Sequence, residues 1–182
     1  MRKNIQLTHS EHKHSKKMFP LVIVANDIND PRNVGGLFRL SDALGIEKLY
    51  LCGDTPAPPN TKINKTSRST EKHVSFEYHV DAEALVTSFK SSGILIVSLE
   101  ISSSSIAISS DEFAETIDGK KPVCLILGSE NTGVSDNLLS LSDLTVHIPM
   151  HGNNSSMNIV SATSIAGFEI TRIMENDHQS PA

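Results

Sequence analysis

The stretch that decides the fold is IPMHGNNSSMNIVSA, residues 148–162, where a β-type run gives way to a helical pattern. The apolar run LTVHIPM ends at Met150, six small or polar residues follow, and an apolar helical pattern begins at Met157. Serine and asparagine at such a junction are typical helix caps, because their side chains accept hydrogen bonds from the unpaired N–H groups of the first turn. Small residues also let backbone atoms approach a ligand. Taken alone, the stretch favours neither function.

Apolar β-type runs recur along the chain and alternate with helical patterns. The runs cover residues 21–26, 48–52, 74–80, 94–99, 123–128 and 144–149. Helices are predicted at about 33–44, from Asp81 to before Gly93, near 109–117, at 134–141 and at about 156–175, with a proline-rich loop over 53–62 and a polar connection over 101–110. Several runs are apolar throughout, as in strands buried on both faces of a parallel sheet. The pattern predicts an α/β fold, with a mainly parallel sheet and helices on both faces.

Length and composition fit one domain with an aliphatic core. The chain has 182 residues, of which 38% are hydrophobic, 20% charged and only 4% aromatic. We expect a flexible basic leader over residues 1–18, one domain over 19–176 and a tail over 177–182. No apolar run reaches the ~20 residues that span a bilayer, and the start lacks the apolar centre of a secretory signal.

The two cysteines give no sign of a metal site or a disulfide framework. Cys52 and Cys124 lie in apolar runs, and neither has a second Cys or His at metal-ligand spacing. The chain is therefore expected to be cytoplasmic, without a membrane span or a bound metal.

Charge is distributed unevenly along this acidic chain. The net charge is −5, yet residues 1–72 carry +5 and residues 73–182 carry −10. Basic residues gather in the leader (Arg2, Lys3, Lys13, Lys16, Lys17) and again at Lys62, Lys65, Arg68 and Lys72. Such clusters suit a phosphate-contacting surface, but they equally suit a solvated tail and a solvated loop.

Three loops at predicted strand ends carry glycine with polar residues. They are the loop within NDINDPRNVGGLFRLSDALG, the loop GSENTG (128–133) and the loop of the opening stretch. Ligands of open α/β sheets bind beyond the carboxyl ends of the strands, so these loops are the candidate site. The sequence lacks a Gly-x-Gly-x-x-Gly fingerprint, a phosphate-binding loop and a nucleophile elbow. Ordinary dinucleotide binding and serine hydrolysis are therefore disfavoured.

Read together, the three loops resemble the motifs of the SpoU (TrmH-like) 2′-O-ribose RNA methyltransferases of the SPOUT superfamily. The first motif is Asn33, Gly35 and Arg39; the second is Gly128, Glu130 and Gly133; the third is Ile148-Pro149-Met150, Gly152 and Ser156-Met157-Asn158, with Glu169 beyond. Methionine at 157 departs mildly from the family's leucine. The resemblance spans about residues 20–175.

The resemblance implies a fold, a cofactor and partners. The SPOUT fold adds a C-terminal trefoil knot to the parallel sheet, and its members pair as homodimers through the knot. The cofactor would be S-adenosylmethionine, and the substrate a ribose 2′-hydroxyl of transfer or ribosomal RNA. The residues implied to contact the cofactor are Ser98, Leu99, Gly128, Ile148, Met150, Ser156 and Met157. On this interpretation the opening loop both cradles the ligand and caps the helix.

The catalytic set that the resemblance implies is Asn33, Arg39, Glu130, Ser156 and Asn158. A guanidinium stays protonated, so we interpret Arg39 as a clamp on the RNA phosphate and a stabiliser of the forming alkoxide rather than as a base. Lys62, Lys65 and Arg68 would contact RNA beside it.

Several roles stay open at this point. Asn33 could orient Arg39 or the ribose. Glu130 could hold Arg39 or Asn158, accept the proton through water, or merely cap the helix that starts near 134. Arg39 could be a solvent-facing helical arginine, and Glu169 a structural salt-bridge partner. The function itself has one alternative of a different class, a catalytically silent knotted RNA-binding module. A knotted enzyme that methylates a base nitrogen or a substrate other than RNA is a third.

Overall fold

A parallel sheet of seven strands organises the protein, as the computed structural model shows. The structure describes residues 16–117 and 121–177, together with residues 4–6, 8 and 11. The strands are β1 (Phe19–Asn26), β2 (Ile46–Cys52), β3 (Phe76–His79), β4 (Leu95–Leu99), β5 (Ile106–Ala107), β6 (Val123–Leu127) and β7 (Leu144–His147). The helices are α1 (Pro31–Leu44), α2 (Thr61–Ser67), α3 (Ala82–Ser91), α4 (Asp111–Thr116), α5 (Asp136–Leu141) and α6 (Ile159–Asp177), with a 3₁₀ helix at Thr70–Lys72.

Helices cover both faces of the sheet, as the fully apolar runs predict. Alternate residues of β1 point to opposite faces, so that Leu21 and Ile23 join one buried cluster and Val22 and Val24 join another. The first cluster includes residues of α1, α2, α4 and α6, and the second includes residues of α3 and α5. The α/β prediction with helices on both faces is confirmed.

Strand order decides where a ligand can bind. The order is β3-β2-β1-β6-β4-β7-β5, and every described pairing is parallel. Along the chain, β2 and β3 are added outward on one side of β1. The later strands β4 to β7 all lie on the other side of β1, with β6 directly beside it. The carboxyl ends of β1, β6, β4 and β7 therefore meet at one edge, at the switch in strand order where α/β proteins bind ligands.

Two helix boundaries follow from their local sequence. The Asp30 side chain accepts a hydrogen bond from the Arg32 N–H and caps α1, and Pro31 suits the first helical position. Gly45 ends the helix in the left-handed conformation at φ 65°. The predicted end of this helix at Gly45 is confirmed.

The structure differs from the sequence prediction at three places. Strand β5 lies inside the predicted polar connection 101–110, and α2 begins in the predicted proline-rich loop 53–62. The last helix begins at Ile159 rather than near residue 156. The six predicted strands and the other four predicted helices are present, with ends shifted by a few residues.

Parts of the predicted leader and tail lie outside the described residues. These include Arg2, Lys3 and Lys13 of the leader, and residues 178–182 of the tail. The described Lys17 forms an ion pair of 3.1 Å with Glu175 of α6. The trefoil knot implied by the family resemblance stays a prediction. Within the described ranges, no helix combines the length and the apolar character needed to cross a membrane.

Candidate active site

A groove of about 990 Å³ opens at the carboxyl edge of the sheet. Its walls are the segment after β4, the loop after β6 and the loop between β7 and α6. Six of the seven residues predicted to contact the cofactor line it, namely Leu99, Gly128, Ile148, Met150, Ser156 and Met157. The volume falls in the usual range of ligand pockets, ~300–1,000 Å³. We call this space the strand-end groove.

The seventh predicted residue, Ser98, lies apart from the other six. It is fully buried within β4, and its hydroxyl shares a hydrogen bond of 2.7 Å with the hydroxyl of Ser142. Adjacent residues of a strand point to opposite faces of the sheet, so the Ser98 and Leu99 side chains point different ways. The Ser98 side chain fixes β4 to the end of α5 and does not line the groove.

The loop at residues 128–133 is closed upon itself. The Ser129 N–H donates to the Gly133 carbonyl at 3.1 Å, and the Gly133 N–H donates back to the Ser129 carbonyl at 2.9 Å. A Cβ placed on Gly128 would lie 2.1 Å from the Gly133 carbonyl carbon, so the two backbones pack against each other directly. Glycine at 128 is therefore a steric requirement of this compact loop.

Two hydrogen bonds connect the three sequence motifs. Asn158 Nδ2 donates to Asn33 Oδ1 at 3.0 Å, and Asn33 Nδ2 donates to Glu130 Oε1 at 2.8 Å. The other oxygen of Glu130 accepts from the Asn29 N–H at 3.1 Å. An ionised carboxylate only accepts, so Asn33 must turn its amide nitrogen to Glu130 and its oxygen to Asn158. We call Glu130, Asn33 and Asn158 the motif network.

Glu130 acts in this network as an anchor. Burial tends to raise the pKa of its carboxyl, but hydrogen bonds from Asn33 and from backbone N–H groups outweigh burial, and the net pKa is lowered. The contact is thus present at neutral pH and weakens only as the pH falls through this lowered value. Of the roles left open, Glu130 holds neither Arg39 nor Asn158 directly; it holds Asn33. The capping alternative is wrong, because Ser135 caps α5.

Asn158 combines two tasks. Its side-chain oxygen accepts from the Val160 N–H at 2.9 Å and caps α6, while its amide nitrogen bonds to Asn33. Residues 151–156 therefore do not cap the helix, contrary to the prediction from the opening stretch. Ser156 is exposed and lines the strand-end groove instead.

A second groove, of about 980 Å³, is cationic. Five basic residues of α1 and of the α2 region line it: Arg32, Arg39, Lys62, Lys65 and Arg68. Arg32 pairs with Asp30 at 2.7 Å. The other four are exposed, and their side chains have no hydrogen bond or ion pair with any described residue. We call this space the cationic groove; Lys72 does not line it.

Helix α2 and its C-cap carry Lys62, Lys65 and Arg68, the basic residues for which the sequence predicted no helix or strand. Asn60 caps it by accepting from the N–H groups of Lys62 and Ile63 at 2.9 and 3.3 Å. Buried Ile63 anchors the helix against α1, where Gly35 leaves room for it. A Cβ on Gly35 would lie 1.9 Å from the Thr66 hydroxyl. The motif glycine therefore allows the close approach that places the α2 cations beside Arg39.

The first turns of α6 separate the two grooves. Ile159 and Ala162 line the strand-end groove, while Val160 and Ser164 line the cationic groove. Glu169 lies further along the helix and forms a bidentate ion pair with Arg172 at 2.6 and 2.9 Å. The structural alternative for Glu169 is thus the arrangement observed.

Sequence reasoning missed three charged residues of these grooves, one of which, Asp30, lines the cationic groove as the partner of Arg32. Glu100 lines the strand-end groove and Arg32 lines the cationic groove. Glu100 directly follows a predicted strand end, so the rule that selected the other loops could have selected it. No group of three or more His, Cys, Asp and Glu side chains suited to a metal ion occurs among the described residues.

Comparison with known proteins agrees with this geometry. Residues 20–168 match the model of the SpoU rRNA Methylase family. The chain is similar to the tRNA (guanosine(18)-2′-O)-methyltransferase of Aquifex aeolicus, with 30% identity over 88% of this chain and 72% of that protein. It is also similar to the 23S rRNA (guanosine-2′-O-)-methyltransferase of Blochmanniella floridana, with 29% identity over 88% of this chain but only 60% of the relative.

A solved structure has the same fold. The SpoU methyltransferase AviRb of Streptomyces viridochromogenes, in complex with the cofactor AdoMet, superposes with a TM-score of 0.72. The match covers 85% of this chain and 60% of that chain at 23% identity, so the likeness concerns the fold.

The double role of Asn158 generates a prediction for stability. Asn158→Ala removes both the cap and the contact with Asn33, whereas Asn158→Ser keeps a good cap and removes only the amide. We expect the alanine variant to lose about 1 kcal/mol of unfolding free energy, typical of a lost N-cap, and the serine variant to lose clearly less. Urea unfolding followed by circular dichroism measures both. Equal losses would show that capping is not what Asn158 contributes.

Proposed function

Because the chain belongs to the SpoU rRNA methylase family, we propose that it is an S-adenosylmethionine-dependent methyltransferase acting on a ribose 2′-hydroxyl of transfer or ribosomal RNA. One observation carries the proposal: the motif network fixes all three family motifs around the strand-end groove. The names of the relatives from A. aeolicus and B. floridana supply the two RNA classes. The proposal places the protein in the cytoplasm with its RNA.

The strand-end groove fits S-adenosylmethionine chemically. Apolar Leu99, Ile148 and Met157 offer a surface for the adenine ring, and the compact loop of residues 128–133 lets backbone atoms reach the nucleoside. Glu100 and Glu130 line the groove, and none of the described residues that line it is Lys or Arg. Such a groove suits a cation. When bound, the cofactor supplies a methyl group on a positively charged sulfur.

The cationic groove supports contact with the RNA backbone. Four cations, Arg39, Lys62, Lys65 and Arg68, line one space, and none of their side chains forms an ion pair with a residue that the structure describes, so they are available for phosphates. Arg39 belongs to α1, the helix whose first turn contains Asn33. We assign Arg39 the bidentate grip on a phosphate oxygen pair and stabilisation of the forming alkoxide. Asn33, Ser156 and Asn158 then position the ribose and the cofactor.

Assembly as a homodimer is part of the proposal. Ile165 and Phe168 of α6 are exposed by 43% and 58%, so an apolar pair stands on the helix that separates the two grooves. Pairing through this helix would cover both side chains and bring two cationic grooves into one assembly. A continuous basic surface would let a chain of net charge −5 hold a folded RNA.

The alternative of a silent RNA-binding module is less well supported. Asn33, Glu130 and Asn158 form a complete hydrogen-bonded chain around a groove with room for a cofactor, which a module that only holds RNA would not need.

Mapping of RNA modifications tests the proposed function. We expect total RNA from a deletion strain to lack at least one 2′-O-methyl group that the parent carries, and complementation to restore it. Loss of a base methyl group instead would favour a knotted enzyme that methylates a base nitrogen. An unchanged RNA would favour the silent RNA-binding module.

Removal of the basic residues of the α2 region should weaken the binding of RNA alone. Replacing Lys62, Lys65 and Arg68 by Ala should weaken RNA binding and flatten its salt dependence, with a log–log slope smaller by about 0.7–0.9 for each lost phosphate contact. Titrations of RNA at several salt concentrations give the slope. Lys121→Ala is the control, because Lys121 precedes β6 at the opposite edge of the sheet. An unchanged slope in the triple variant would remove these residues from the RNA interface.

Arg39→Lys should separate turnover from binding. Lysine keeps the positive charge but lacks the planar fork of arginine, so kcat should fall at least about tenfold while RNA affinity changes little. Single-turnover methylation and RNA titration measure the two quantities. A lysine variant with wild-type turnover would show that Arg39 supplies only a general charge.

The dimer prediction is tested by mass. Light scattering at micromolar concentration should give twice the chain mass of 19.7 kDa. Replacing Ile165 and Phe168 by Ser and Asn should shift the mass toward the monomer while α6 remains folded. A wild-type monomer would contradict the assembly.

A further inference from the structure

Glu100 forms a bridge between two neighbouring strand ends. It directly follows β4, and its Oε1 accepts from the Ile101 N–H at 2.8 Å. Its Oε2 accepts from the Val134 N–H at 2.9 Å, at the residue that follows the loop of residues 128–133. Hydrogen bonds to an ionised acceptor are stronger than neutral ones. The carboxylate therefore ties this loop, which follows β6, to the end of β4.

Gly133 shows how closely the loop rests on this carboxylate. Its φ is +70°, a conformation that side chains disfavour, and a Cβ placed there would lie 2.2 Å from Glu100 Oε2. The carboxylate thus occupies the space that a side chain at 133 would need. Loop and carboxylate form one packed unit, with Gly128 closing it from the other side.

Glu100 is also one of two carboxylates in the strand-end groove. Glu130 is the other, and it is committed to Asn33 and Asn29. Each Glu100 oxygen accepts one hydrogen bond from the described residues, and a carboxylate has about four lone-pair sites, so acceptor capacity remains toward the groove. Among the described lining residues no lysine or arginine neutralises this charge.

We propose that Glu100 is a positioning and specificity-determining residue of the strand-end groove. It holds residues 128–133 in the shape that receives the ligand, and its negative charge favours a cationic sulfonium over the uncharged thioether left after methyl transfer. The inference rests on the proposed function. It assigns to Glu100 a share in the preference for S-adenosylmethionine over S-adenosylhomocysteine, and hence in the release of the product.

Glu100→Gln tests both parts in the full-length protein. Glutamine has one acceptor oxygen where glutamate has two, so one of the two backbone contacts is lost together with the charge. Calorimetry should show S-adenosylmethionine binding weakened about tenfold and S-adenosylhomocysteine binding about threefold, so that the ratio of the two affinities falls about threefold. RNA affinity should stay unchanged. Glu115→Gln is the matched control, because Glu115 is exposed on α4 and its side chain forms no hydrogen bond or ion pair with a described residue.

The outcomes are distinguishable from one another. Equal weakening for both ligands, or no weakening, would overturn the proposal. A thermal unfolding midpoint close to that of the wild type shows that the variant is folded, so that altered binding reports the groove. If the wild-type protein binds neither ligand, the proposed function fails first, whatever Glu100 does.

A double-mutant cycle keeps the proposal testable if the glutamine variant is unstable. Gly133→Ala should weaken S-adenosylmethionine binding through its clash with the carboxylate and its strained backbone. In a chain that also carries Glu100→Ala the clash is absent, so the double variant should lose clearly less than the product of the two single losses. Losses that multiply would show that loop and carboxylate are not coupled.

Discussion

The hydrogen bond from Asn33 to Glu130 is the constraint on which the site depends. It joins the start of α1 to the loop after β6, and through Asn158 it extends to the start of α6. These segments are distant in sequence and meet only because β1, β6, β4 and β7 are neighbours in the sheet. Since the carboxylate can only accept, it fixes the orientation of one amide after another. The loops are thus held in place by the protein itself, which lowers the cost of ordering them around a ligand.

The same arrangement separates charges of opposite sign. The strand-end groove carries two carboxylates, while the cationic groove on the other side of α6 carries four basic residues whose side chains form no hydrogen bond or ion pair with a described residue. On the proposed function, a cationic cofactor and a polyanionic substrate each meet a complementary surface, although the chain as a whole is acidic. Net charge alone would have argued against an RNA partner. The basic clusters in the sequence suited a phosphate-contacting surface and a solvated loop equally, and the folding of α2 against α1 brings Lys62, Lys65 and Arg68 into one groove with Arg39.

Prediction from the sequence succeeded where a pattern has one physical cause. Uninterrupted apolar runs imply strands buried on both faces, and these strands are present with helices on either side. The prediction failed where one or two residues decide whether a helix or strand forms. Helix α2 depends on the cap Asn60 and on buried Ile63, within a segment that reads as a loop. Strand β5 consists of only two residues and follows a run of four serines, so the sequence there reads as a polar connection. The sequence also could not identify Asn33 as the hydrogen-bond partner of Glu130, because this contact depends on the conformation of the loops rather than on the spacing of the motifs.

Neither Arg39 nor Glu130 is suited to remove the proton from a 2′-hydroxyl. Arg39 is a guanidinium, which keeps its proton. Glu130 has a lowered pKa because its charged form accepts hydrogen bonds, whereas an efficient general base has a pKa near the working pH. Both residues are better suited to placing and stabilising charge. On the proposed function, this chain lowers the barrier chiefly by alignment of the hydroxyl with the methyl donor, which can supply roughly 7–11 kcal/mol, and by stabilisation of the oxygen as its proton leaves. On this proposal the proton itself passes to water.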